Sequence, residues 1–495
     1  MVGVCSTSSG DAKQMVGSEQ MEKSKVEIRP LSSGGYVAPS VVPGKGRQAL
    51  AAAIVCILAF IFGASVGWPS PVQPLLQSDR SPVGQLSDGD VSWLASLTFL
   101  GGITGSFIWS RIADRFGRKF CGYSVSVPFL IGWGLISFCH DRYLMLIARF
   151  INGIGGSGAL ILSPTYISEV ATDSIRGALG SFVILYMNAG IVFAYSLGAV
   201  VDYDTLNYAC LSIPILFIFL FFWMPESPEY LWSKGKKEKA FNSLLWLRSG
   251  DIKFVQEEIF IYNTKCQEGS VSYSALVCSR GRRMGMLIGL GLFTWQQFCG
   301  ILAILSYTSF IFEKAGSSIP PERATIIVGL FQLFASFVSS VIVDRSGRKI
   351  LLLISYIFMG LSLTSIGAYF YLDSLGFDVS NLGWVPVVSL SVHVLTYALG
   401  AGPVPYVVIS ETLPIDIRGL ATSTIVLWGT SLAFVSVKIF PILIASVGTA
   451  GCFWFFSVFC FAGFLFTWSL VPETKGIPLQ EILQRLNGCR GIDLV

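Results

Sequence analysis

Amides and phenols inside long apolar runs are the residues here with chemistry to offer. Gln296, Gln297 and Tyr307 share one such run, Gln332 lies in another, Asn188 in a third and Tyr406 in a fourth. An unpaired amide among apolar groups is expensive, so each needs either a partner helix or a polar ligand. Gln296, Gly300, Ala303 and Tyr307 follow steps of 4, 3 and 4 and therefore share one helical face. Amides, hydroxyls and aromatic rings converging on an apolar wall suit a small polyhydroxylated ligand. Bonding between helices alone accounts for the same residues, and both readings stand for the glutamines. Gly402-Pro403-Val404-Pro405 precedes Tyr406. Those residues break a helix and free carbonyls where backbone lines a cavity.

The charged residues follow a second pattern. Asp114-Arg115-Phe116-Gly117-Arg118-Lys119 reappears as Asp344-Arg345-Ser346-Gly347-Arg348-Lys349. Glu169 precedes Arg176-Gly177 by the spacing with which Glu411 precedes Arg418-Gly419. Pro225-Glu226-Ser227 resembles Pro472-Glu473-Thr474. Three matches in the same order indicate a duplicated unit. Asp114, Arg115, Arg118, Glu169, Arg176, Glu226, Asp344, Arg345, Arg348, Glu411, Arg418 and Glu473 are expected to form a cytosolic gate. Their pairs would close the inner mouth across the two halves in one state and break in the other. The plainer alternative is that they anchor helix ends.

These residues need a bilayer to position them. Of 495 residues, 53% are hydrophobic and 37 are Phe, while charged residues reach only 13%, against about 25% in soluble domains. Mean hydropathy is +0.66. This excludes an ordinary soluble enzyme, a disordered chain and a nucleic-acid-binding protein. A crossing helix needs about 20 mainly apolar residues. Runs of that kind lie near 48–70, 89–112, 120–139, 143–168, 177–200, 207–224, 284–312, 322–344, 350–372, 383–410, 419–446 and 451–471. With the N-terminus inside, 28 of the 34 Lys and Arg residues fall on the cytosolic side and only Arg80, Arg142, Lys314 and Arg323 outside. That bias puts both termini in the cytosol. The expected organisation is a cytosolic tail (1–47), a first six-helix half (48–224), a cytosolic central loop (225–283), a second half (284–471) and a C-terminal tail (472–495). The central loop reads as a solvated, partly helical linker, and the first tail as disordered. The eleven cysteines include no CxxC pair, and only two histidines occur, so neither a disulfide scaffold nor a metal site is expected. No cofactor is expected, and no nucleophile and base constellation marks an enzyme.

Further motifs carry a family resemblance. Ala113 to Lys119, Pro164-Thr165-Tyr166-Ile167-Ser168-Glu169, Pro225 to Leu231, Gln296-Gln297-Phe298-Cys299-Gly300, Gly400 to Pro405 and Pro472 to Gly476 together resemble the sugar porter family of the major facilitator superfamily. The resemblance spans about residues 48–485. The stretch 448–455 and Val437-Lys438 are similar to insect facilitated trehalose transporters in particular. The resemblance implies an all-α membrane protein of twelve helices in two halves, alternating access and a sugar site between the halves. It assigns Gln296, Gln297, Gln332, Tyr307, Tyr406 and Gly402 to substrate binding. Departures are clear. Ser110 and Ser340 stand where the family has Gly, Ile184 where glucose carriers have Gln, Leu302 where it has Asn, Ser306 where it has an aromatic, Tyr406 where it has Trp, and Gly429-Thr430 where it has Asn-Trp.

Proton-coupled members of the family carry an Asp in the first helix; here that run reads Phe60 to Trp68 with no acid. A downhill carrier of the cell membrane follows, for a sugar such as trehalose or a hexose. The alternatives are a proton-coupled or polyol carrier of the same fold and a non-transporting sugar sensor. The lipid bilayer and a sugar are the partners expected; nothing in the sequence sets an oligomeric state. Arg149 and Lys438 read as snorkelling or paired, and His393 as a hydrogen-bonded helix residue.

Overall fold

The computed structural model of the chain describes residues 43–264, 276, 278–317, 319–477 and 479–487. The first tail up to residue 42, and most of 265–277, lie outside these. The side chains of Asp344 and Arg345, assigned to the gate, are also outside the described part.

The described residues are helical, without a strand. Eleven stretches are long and apolar enough to cross a bilayer. The first ten are α1 (Lys45–Leu76), α2 (Asp88–Phe116), α3 (Arg118–Phe138), α4 (Arg142–Val170), α5 (Asp173–Gly198), α6 (Tyr203–Phe221), α7 (Arg280–Lys314), α8 (Pro321–Ser346), α9 (Arg348–Ser374) and α10 (Ser380–Thr412). The last holds two helices, because Gly448 at φ 76° breaks the run from Ile415 to Leu470. These are α11 (415–447) and α12 (449–470), which completes the twelve crossings expected. Local chemistry sets the starts. Ser87 and Asp90 form a reciprocal capping box at α2, and the Asp141 carboxylate accepts from the Tyr143 and Leu144 amides at α4.

Helices in lipid gain little from apolar burial against one another, so close packing has to hold them together. In the first half small residues let backbones touch. A Cβ on Gly190 would lie 2.1 Å from the Phe60 carbonyl oxygen, and one on Gly63 1.9 Å from that of Met187, which presses α1 onto α5. Gly101 and Gly153 do the same between α2 and α4.

The central segment is partly helical and partly exposed, as expected, but it also docks on the bundle. It folds into helices Pro228–Ser233, Lys237–Leu247 and Ile252–Thr264. Leu244 and Leu247 are wholly buried. The Arg248 guanidinium, also wholly buried, donates to the Val170 carbonyl at the end of α4 (2.9 Å) and pairs with Glu258 at 2.7 Å. Arg47, at the start of α1, donates to the Trp246 carbonyl. The segment therefore caps the inner ends of α1 and α4.

Replacing Gly190 by Val should destabilise the protein by more than about 2 kcal/mol, since two backbones would have to part. Gly134→Ala, which meets nothing within 4 Å, should leave stability unchanged. Thermal unfolding of the two purified variants checks both.

Candidate functional site

The duplicated motifs build one device twice, at the end of the bundle that carries the basic loops (the inner end). Gly117 (φ 100°) turns the chain from α2 into α3, and Gly347 (φ 85°) turns it from α8 into α9. Such φ values favour glycine. Space demands it as well, because a Cβ on Gly117 would stand 2.4 Å from the Glu226 carboxylate and one on Gly347 2.9 Å from that of Glu473. Each carboxylate sits on a helix N-terminus. Glu226 accepts from the amides of Arg118 (2.9 Å) and Lys119 (3.1 Å), and Glu473 from those of Arg348 (2.9 Å) and Lys349 (3.2 Å). The negative charge thus meets the positive end of α3 or α9.

The following Arg and Lys extend the ties. Arg118 pairs with Glu169 of α4 at 2.8 Å and with the exposed Asp114 at 3.5 Å. Arg348 pairs with Glu411 of α10 at 3.0 Å, and the Thr474 hydroxyl also donates to Glu411. Lys119 donates to the carbonyls of Phe222 and Met224 beyond α6, and Lys349 to that of Trp468 in α12. Cations there satisfy the free carbonyls of a helix end.

These pairs lie within one half each, not across the halves as the gate reading expected. The first six-helix unit ties α3, α4 and α6 to one another, and the second ties α9, α10 and α12. Three gate candidates stand apart from the networks. Arg115 lies over the Phe116 ring, Arg176 pairs with Asp173, and Arg418 donates to the Leu413 carbonyl.

The two capping carboxylates differ in environment. Burial pushes Glu226 above the ordinary 4.5, with the amides of Ser227, Lys119 and Arg118 opposing it only in part. Burial also acts upward on Glu473, but the amides of Lys475, Arg348, Lys349 and Thr474 outweigh it and hold the group below 4.5. A depressed carboxylate contributes stability above its unfolded value and loses it as pH falls through the folded one. A raised one has the opposite sign: its contribution is greatest at low pH and is lost as pH rises from 4.5 through its folded value. Acidification below 4.5 should therefore loosen the α9 end before the α3 end. Hydrogen exchange at the amides of Lys349 and Lys119, compared between neutral pH and acid, reads this directly.

The polar residues assigned to substrate fall into three places. Gln296 is buried and spends its amide on the carbonyls of Ala401 and Gly402, both at 2.8 Å. Those carbonyls are free because α10 widens over Tyr397–Ala401 ahead of Pro403 and Pro405. Tyr406 follows, 44% exposed, edge-on to Phe293 at 4.9 Å. Gln332 of α8 donates to Asn188 of α5 (3.0 Å), which in turn donates to Ser336. Tyr307 stacks on Phe440 at 5.1 Å, beyond the break in α7 at Gly300 (φ 81°). Among the side chains assigned to substrate, three buried atoms keep no partner: Gln297 Oε1, Gln332 Oε1 and Tyr307 Oη. Buried polar atoms left open in this way are where a ligand or water is wanted.

Against known proteins, the pattern of the family described as "Sugar (and other) transporter" matches residues 49–486. The facilitated trehalose transporter Tret1 of Polypedilum vanderplanki is 33% identical over 470 residues, covering 94% of this chain and 92% of its own. Tret1 of Apis mellifera ligustica is 33% identical over 89% of this chain and 88% of its own. Among solved structures, the inward open conformation of the xylose transporter XylE from E. coli superposes with a TM-score of 0.73, at 24% identity, over 88% of this chain and 98% of its own. The proton:xylose symporter XylE bound to 6-bromo-6-deoxy-D-glucose gives 0.69 at 25% identity, over 89% and 99%. The chain belongs to the sugar transporter family. It spans a membrane many times, has the major facilitator fold, and is a sugar transporter and not an enzyme.

In this sugar transporter the hydrogen bonds between the halves run at mid-depth and toward the outer end. Ser92 of α2 donates to the Lys438 carbonyl of α11, and the Lys438 ammonium lies 3.7 Å from the Trp93 ring centre. Ser70 of α1 donates to Ser309 of α7, and Tyr195 of α5 to the Leu305 carbonyl. Sequence reasoning missed Ser70, Ser309, Tyr195 and Trp93, because single hydroxyls and rings carry no spacing signal. Lys438 is paired, as the snorkelling-or-paired reading allowed, with the Trp93 ring of the other half. Arg149 is buried and bonded, as that reading allowed: it donates to the carbonyls of Ser65 and Leu94 and to the Ser65 hydroxyl. His393 is wholly buried, with the Met359 backbone as the partner nearest its ring, though neither nitrogen meets it at ideal hydrogen-bonding geometry.

Lys438→Gln removes a cation–π contact of about 1 kcal/mol from the outer seal. Spin labels at the exposed positions Val200 and Phe377, one on each half, should then report a rise of roughly fivefold in the outward-open population. An unchanged distance distribution would remove Lys438 from the seal.

Proposed function

We propose that the chain is a facilitative sugar carrier of the cell membrane, with both termini in the cytosol. It exposes one site alternately to the two sides as its halves rock. One observation carries the downhill reading. The buried Arg149 of α4 faces Ser65 of α1, a hydroxyl and a carbonyl, where proton coupling would need a carboxylate. No Asp or Glu falls in the middle of a crossing helix. The fold itself does not decide coupling, since the similar XylE is described as a proton:xylose symporter.

Trehalose is the substrate favoured by the relatives, which are described as facilitated trehalose transporters. The binding groups we assign are Gln297, Gln332 and Tyr307, whose open atoms can take sugar hydroxyls. Tyr406 is assigned as the ring against a pyranose face. Gln296 and Gly402 act one step behind them, holding the α10 break in shape. The inner networks, from Arg118 to Glu473, keep each half rigid while it rocks.

Proteoliposomes given labelled trehalose, glucose, fructose and inositol test the proposal. Saturable uptake of trehalose or a hexose, insensitive to a protonophore, is expected. Sugar-dependent alkalinisation of the medium would overturn the downhill reading, and selective inositol uptake would make it a polyol carrier. Sugar binding without flux of any of the four would make it a sensor. Gln297→Ala and Gln332→Ala should each raise the half-saturating sugar concentration about tenfold, the loss of roughly one hydrogen bond. Gln296→Ala should lower the maximal rate as well, because it frees two carbonyls at the bend of α10.

A further inference from the structure

Three helix ends meet at the outer face of the second half. Lys314 is the last residue of α7 and Ser374 the last of α9, and Gly448 separates α11 from α12. Between them lies a cavity of about 430 Å³, lined by Lys314, Tyr371, Asp373, Ser374, Thr449 and Trp454 among others. Since each helix ends here, the cavity sits at the depth of lipid headgroups.

Its chemistry is specific. Lys314 and Asp373 bring opposite charges into one exposed cavity, with the Lys314 ammonium 5.9 Å from the Phe310 ring centre. Tyr371 and Trp454 form an aromatic corner, with ring centres 5.4 Å apart and planes at 48°. Gly448 restarts the chain as α12, whose first amides lack helical partners and add positive character beside Thr449. A neutral sugar would leave both charges unanswered. A phosphate and an ammonium on one molecule answer both, and the ammonium gains the aromatic faces.

We propose that this cavity holds the headgroup of a zwitterionic phospholipid of the outer leaflet. The phosphate lies toward Lys314 and the start of α12. The choline lies against Asp373, Tyr371 and Trp454. The acyl chains run down α9 and α12, where Phe358, Leu361, Val458 and Leu465 are exposed.

Native mass spectrometry of the full chain, released from nanodiscs of equal phosphatidylcholine and phosphatidylglycerol, tests this. The wild-type chain should retain phosphatidylcholine about threefold over phosphatidylglycerol. The double variant Lys314→Gln, Asp373→Asn should lose that preference and still transport sugar. Equal retention by the wild-type chain overturns the proposal, as does a preference that survives in the double variant. Soluble glycerophosphocholine at equal concentration should not displace the lipid. If it does, the ligand is a soluble phosphodiester and not a membrane lipid. Displacement by trehalose would make the cavity a sugar subsite instead.

Discussion

Hydrocarbon offers no hydrogen bonds, so each polar group inside this bundle has to find its partner in the protein or in a ligand. That constraint places nearly every residue discussed above. Arg149 is held by two backbone carbonyls and the Ser65 hydroxyl. Gln296 takes the two carbonyls that α10 releases. At the inner helix ends the same demand is met with charge: acids on the first amides of α3 and α9, lysines on the last carbonyls around α6 and α12. Gln297, Gln332 and Tyr307 each keep a buried atom without a partner, as several other side chains do, and these three are the groups proposed above to meet the sugar.

The strength of these ties differs with direction. Within a half they are ionic, multiple and partly buried. Between the halves they are hydroxyls on carbonyls or on another hydroxyl, one amide pair and one cation over a ring. Removing a partner from a buried ion pair is far more damaging than losing a neutral hydrogen bond. The six-helix units therefore hold their shape while the contact between them is made and broken. The duplicated charges stiffen each half, and the contacts named between the halves include no ion pair, since Lys438 meets a ring and not an acid.

This division explains what could be read from the chain. The twelve crossings were legible because apolar runs of fixed length repeat, and the break at Gly448 was visible as a gap between the runs ending at 446 and starting at 451. The networks were legible as motifs, since Gly117 and Glu226 recur as Gly347 and Glu473. Which side of the divide they serve was not, because a motif names residue types and not partners 50 or 100 positions away. The seal was hidden for a further reason. A serine in a membrane helix can bond its own backbone four residues back, as Ser96 does to Ser92, so the few that cross to the other half look no different. The docking of the central segment was likewise invisible, as Arg248 reads as one more solvated charge until Glu258 and Val170 surround it.

Both halves join their helices through glycines of two kinds, some against backbone and some under rings. In the first half Gly63, Gly101, Gly153 and Gly190 meet backbone carbonyls. In the second, Gly400 meets the Leu351 carbonyl, and in both halves rings cover other glycines, Phe221 and Phe62 over Gly122 and Gly156, Phe466 and Phe461 over Gly291 and Gly360. Backbone against backbone has one arrangement, whereas a ring over a glycine can turn about its rotamers and still fill the space. The second half also carries the breaks at Gly300 and Tyr397–Ala401, next to the amides and rings assigned to sugar. The breaks in α7 and α10 thus adjoin the groups proposed to hold the sugar, and a joint at that place is what would let those two helices close locally around it.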